Sequence, residues 1–75
     1  MQLADLLIHV QKDLSATERN ALEEELRHVE GVVAPRFSTA APHLLVVSYN
    51  PAVVRYACLL AAVRHRGHEA RCVGL

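Results

Sequence analysis

Five histidines and two cysteines are the side chains of this 75-residue chain best suited to metal binding or nucleophilic chemistry. Three of them, His65, His68 and Cys72, form an H-x-x-H-x-x-x-C run, a donor set suited to zinc, nickel or copper. The spacing works against a shared ion. His65 is expected in the last turn of a helix, where a cation suits the helix dipole and the free carbonyls. His68 and Cys72 are expected on one face of a strand, ~13 Å apart along it, too far for one ion to bridge. His9 is expected near His68, where the first and last strands pair, so a two-histidine site built by dimerisation is a further arrangement. His28 and His43 read as solvated residues at element ends, and Cys58 and Cys72 as small buried hydrophobes. No Ser-His-Asp or Cys-His order supports catalysis. No phosphate-binding glycine loop is present, and one small sheet with two helices offers no deep cleft.

Composition narrows the partners. Eight basic residues balance eight acidic ones, so the basic excess of a nucleic-acid binder is missing. Aromatic residues make up 4% of the chain and Trp is absent, which leaves little on which bases could stack. No apolar run reaches the ~18–20 residues of a membrane span, and the N-terminus lacks the basic start and cleavage site of a secretion signal. Two cysteines do not make a disulfide scaffold. A single cytoplasmic domain over residues 1–75 is expected, with one modest core drawn from the 52% of residues that are apolar.

The elements that must position these groups follow from periodicity. Leu3 to Val10 alternates as a strand, with Leu6, Ile8 and Val10 on one face and Asp5, Leu7 and His9 on the other. Ser15 opens a helix and Glu18 completes an S-x-x-E capping box, with Leu14 placed to staple the first turn. Leu22, Leu26 and Val29 follow at helical spacing. Glu23, Glu24, Glu25 and Arg27 take the wet side, and Gly31 ends the helix. Val32 to about Ser38 reads as a strand that Pro35 confines to an edge or a bulge. Thr39 to Pro42 turns the chain into a third strand, His43 to Tyr49. Asn50-Pro51 reads as a cap followed by proline at the first helical position. It predicts a helix from Ala52 to about Arg66, with Val53, Ala57, Leu60 and Val63 or Arg64 along its stripe. Gly67 closes that helix and His68 to Val73 forms a last strand. The order β-α-β-β-α-β predicts an α+β, ferredoxin-like fold: a four-stranded antiparallel sheet, two helices on one face, first and third strands central.

The run HVEGVV followed by HLLVVSYNPAVVRYACLLAAVRHRGHEARCV resembles the heavy-metal-associated domain of copper chaperones and metal-transporting ATPases. Gly31-Val32 matches that family's Gly-Val after the first helix. Tyr49-Asn50-Pro51 matches its aromatic-Asp-Pro, and Gly67-His68 its Gly-aromatic before the last strand. The resemblance implies the same ferredoxin-like fold and a Met-x-Cys-x-x-Cys loop for Cu(I) between the first strand and first helix. Counting back from Gly31, the two thiol positions of that loop fall on Ser15 and Glu18. A hydroxyl and a carboxylate do not select soft monovalent copper, so here the chain departs from the family and keeps only a helix cap.

The sheet face turned away from the helices carries the remaining signal. With Leu6, Ile8, Val10, Leu45 and Val47 inward, Leu7, His9, Leu44, Val46 and Ser48 point outward, joined by Glu69, Arg71 and Val73 of the last strand. An open antiparallel face is normally polar, and contiguous apolar surface marks interaction sites. Two functions follow. One is a non-enzymatic interaction module, a homodimer or a docking domain for another protein, acting through Leu7, His9, Leu44, Val46, Arg71 and Val73 and needing no cofactor. The other is a metal-handling protein with relocated ligands, His9, His65, His68 and Cys72, taking a divalent metal or Cu(I).

Overall fold

In the computed structural model, which describes residues 2–73, alternation and helical spacing resolve into six elements. They are β1 (Ala4–Val10), α1 (Ala16–Arg27), β2 (Val32–Phe37), β3 (Leu44–Tyr49), α2 (Tyr56–His65) and β4 (Ala70–Cys72). The strands form one sheet in the order β2-β3-β1-β4, every neighbouring pair antiparallel. This is the expected ferredoxin-like architecture with β1 and β3 at the centre. Among the described residues no helix is long and apolar enough to cross a membrane.

The core follows the two-residue period of the strands. Leu6, Ile8 and Val10 of β1 and Leu45 and Val47 of β3 are at most 1% exposed, and they pack against Leu22 and Leu26 of α1 and Leu59 and Val63 of α2. Each such side chain contributes roughly 1.5–3 kcal/mol by leaving water. Leu14, just ahead of α1, joins the same cluster. Pro35 sits on the edge strand β2, as its missing N–H requires, and the register slips between Val32 and Ala34.

Four expectations are corrected. Helix α1 ends at Arg27 with His28 as its C-cap. Gly31, at φ +96°, instead serves the turn into β2, where its carbonyl accepts the Asn50 N–H at 2.7 Å. The second helix begins at Tyr56 rather than Ala52. The Asn50 carbonyl accepts the N–H groups of Val53 and Val54, and its side-chain oxygen that of Ala52, so Asn50-Pro51 builds one isolated turn. The chain then extends through Arg55 (φ −93°, ψ 148°), an N-cap with no side-chain bond. Adjacent β-branched valines disfavour a continuous helix here, and the break drops Val54 into the core. The buried stripe therefore becomes Leu59 and Val63, with Val53 51% exposed and Ala57 and Cys58 exposed as well. Cys58 is thus a surface thiol, and only Cys72 packs partly against the core.

Candidate functional site

The outward half of the sheet is the face the alternation predicts. Leu7 lies opposite Val46, His9 opposite Leu44, and Asp5 opposite Ser48 across β1 and β3. On the other side of β1, His9 faces Arg71, and the Val73 N–H donates to the Leu7 carbonyl at 2.9 Å. Leu7, Leu44, Val46 and Val73 form the apolar middle, each half-buried by its neighbours. Leu3, just ahead of β1 and 47% exposed, adds apolar surface near one end. Arg36 on β2, opposite Val46, and Arg71 on β4 flank the middle, and Asp5 stands at its end with its carboxylate held at 2.7 Å by the Ser48 hydroxyl. At the other end a shallow recess of about 310 Å³ opens between His9, Pro42, His43 and Leu44.

On each edge of the sheet a helix side chain takes one backbone group. On β2, Pro35 has no N–H to offer, and the outward N–H of Phe37 donates to the Glu23 carboxylate of α1 at 2.7 Å. On β4, only three residues long, the Ala70 carbonyl accepts from Arg64 Nε of α2 at 3.0 Å. A bulged, proline-bearing strand on one side and a three-residue strand on the other are poor templates for a further strand. Glu23 was expected on the wet side of α1; it is half-buried because it caps this edge. The face is what remains for contact.

At the start of α1 lie Ser15 and Glu18, the two positions singled out in the sequence. Ser15 and Glu18 form the capping box in full: the Glu18 carboxylate accepts the Ser15 N–H at 3.0 Å, and the Ser15 hydroxyl accepts the Glu18 N–H at 3.1 Å. The backbone bond from Ser15, then its hydroxyl, hold the Glu18 carboxyl below the usual glutamate range, with Lys12 and His68 adding smaller effects. A hydroxyl and a carboxylate already committed to the backbone do not fit Cu(I). Beside them His43, expected to be solvated, is instead a junction. Its Nδ1 lies 2.8 Å from the Val10 carbonyl, its Nε2 2.6 Å from Asp13, and its ring stacks on His9 at 5.7 Å between centroids. The signal for this role is the antiparallel register, which continues from the β1–β3 pairs to set position 43 beside Val10.

The proposed metal ligands do not converge. His65 is exposed at the end of α2, His68 lies in the segment between the Arg66-Gly67 turn and β4 rather than on the strand, and Cys72 faces inward opposite Ile8. His9 has Arg71 and His43 as neighbours, and its buried Nδ1 has no hydrogen-bond partner among the described residues. Among those residues no group of three or more His, Cys, Asp or Glu side chains could hold a metal ion.

No family model matches the sequence, and no curated protein matches it. Solved structures do. Oxidised MerP from Ralstonia metallidurans CH34 superposes with a TM-score of 0.84 at 15% identity, over 97% of this chain and 100% of that one. The N-terminal domain of a potential copper-translocating P-type ATPase from Bacillus subtilis, in its Cu(I)-loaded state, gives 0.86 at 23% identity, over 97% and 90%. The CopZ metallochaperone gives 0.81 at 16%, over 91% and 100%. At these identities the likeness is one of fold, and it extends over nearly the whole chain: an arrangement like that of the heavy-metal-associated domains.

Proposed function

We propose that this chain is a non-enzymatic interaction module that uses the fold of the heavy-metal-associated domains without their Cu(I) loop and binds protein through its open sheet face. The observation that carries this reading is the apolar middle of that face, Leu7, Leu44, Val46 and Val73, on a sheet whose two edges are capped. Apolar area at the centre with Arg36, Arg71 and Asp5 around it is the anatomy of a contact surface. Capping by Ser15 and Glu18 at the thiol positions supports the loss of copper chemistry. The module works in the cytoplasm, with neither nucleic acid nor membrane as its target.

A photocrosslinker placed at Leu7 tests this in cells. It is expected to trap a discrete adduct that disappears with Leu44→Glu plus Val46→Glu, while the same group at Glu24 on the helix side traps none. Identical adduct patterns at the two positions would sink the reading.

The unpartnered Nδ1 of His9 and the metal-binding neighbours in fold favour one second reading, metal handling through His9, His65, His68 and Cys72. Native mass spectrometry with equimolar Cu(I), Zn²⁺ or Ni²⁺ under reducing conditions separates the two. The module retains no metal. A stoichiometric adduct that is lost in the His9→Ala, His68→Ala double variant would reverse the order.

A further inference from the structure

Resting on the open face as a contact surface, we propose that its occupant is a second copy of this chain. The two copies dock about a two-fold axis passing between Leu7 and Val73, which sets Asp5 of each copy against the partner's Arg71. Outward residues step ~6.8 Å along a strand and strands lie ~4.8 Å apart. On that lattice Asp5 and Arg71 sit about 14 Å apart, one to either side of the Leu7–Val73 row. A two-fold axis perpendicular to the line joining them exchanges the pair, and both Asp–Arg contacts then close at once. The same operation lays Leu7 over the partner's Leu7, Val73 over the partner's Val73, and Val46 close to the partner's Leu44. Arg36 falls on the polar border near the partner's Ser38 and meets no like charge.

Three further features fit. The strands of the two sheets cross at about 40°, near the roughly 30° of aligned sheet packing. The Ser48 hydroxyl holds one oxygen of Asp5 and leaves the other free, while exposed Arg71 has no side-chain partner among the described residues. One backbone group on each edge is already taken by a helix side chain, which disfavours strand addition as the competing way for copies to join. A four-stranded face of this size offers on the order of 300 Å² per copy, below the ~800 Å² of a standard interface, so the dimer is weak and depends on concentration.

Sedimentation equilibrium from micromolar to millimolar protein tests the proposal. Asp5→Arg and Arg71→Asp, each at an exposed position, are expected to weaken association about tenfold or more, because two rim pairs turn repulsive in each. Combining them restores it, and added salt weakens the wild-type dimer. Circular dichroism checks that each variant folds. A wild type that stays monomeric at millimolar concentration overturns the second copy as occupant. The crosslink at Leu7 would then still report on the face itself. Dimerisation that Leu44→Glu plus Val46→Glu abolishes but the charge swaps leave untouched overturns this axis.

Discussion

At the scale of single residues, the capping box and the glycines give the sharpest expectations. Ser15→Ala removes the hydroxyl that accepts the Glu18 N–H and is expected to cost about 1 kcal/mol, a fall of roughly 4–8 °C in Tm for a domain this small. Because the Glu18 carboxyl titrates below its unfolded value, its stabilisation is complete above the ordinary glutamate range and is lost as pH falls through the folded value. Glu18→Gln keeps the box without the titration. Thermal melts in acid should therefore fall more steeply for the wild type than for this variant, and parallel curves would contradict the assignment. Gly31 and Gly67 both have positive φ, but a Cβ on Gly31 meets Val53 and Val54 at 2.9 Å, while one on Gly67 meets nothing within 4 Å. Gly31→Ala should cost about 2–4 kcal/mol and Gly67→Ala only about 1–2; equal losses in urea titrations would refute the difference. The capping box was legible from four consecutive residues. The role of His43 was not, since it depends on register with Val10 and on Asp13, some thirty positions earlier.

At the scale of elements, strands were easier to read than the second helix. Alternation in β1 and β3 assigned the faces correctly because a buried face fixes register for the whole strand. Asn50-Pro51 misled because cap and proline mark the start of any helical turn, and nothing in those two residues says whether the turn continues. What stops it is the adjacent pair Val53-Val54, whose β-branches disfavour a continuous helix, and the break then places Val54 in the core. Leu59→Ala or Val63→Ala is accordingly expected to cost about 2–4 kcal/mol through the cavity left behind, and Val53→Ala far less. Chemical denaturation of the three variants checks this ranking; the stripe read from sequence alone, with Val53 on it, would give a large loss at Val53. Cys58 belongs to the same correction, and alkylation of the native protein should label it ahead of Cys72, which faces the core.

At the scale of the whole molecule, the topology was legible because strand, helix and glycine recur in the same order in both halves of the chain. The candidate site was legible only in outline. Alternation identified which residues face outward, but the charge layout around them needed the pairing of β4 with β1 and of β2 with β3. The two edge caps, Glu23 on the Phe37 N–H and Arg64 on the Ala70 carbonyl, were invisible in sequence because each depends on how a helix docks over the strand that follows it, which no residue pattern spells out. They also bear on the route by which the chain reaches its native state. A sheet that assembles before α1 and α2 dock has both flanks bare as well as its greasy side, which makes it the species most prone to clump. Protection here arrives with the helices, so productive folding favours docking early. Glu23→Ala together with Arg64→Ala should then lower the yield of refolding at high protein concentration while leaving the yield at high dilution nearly unchanged.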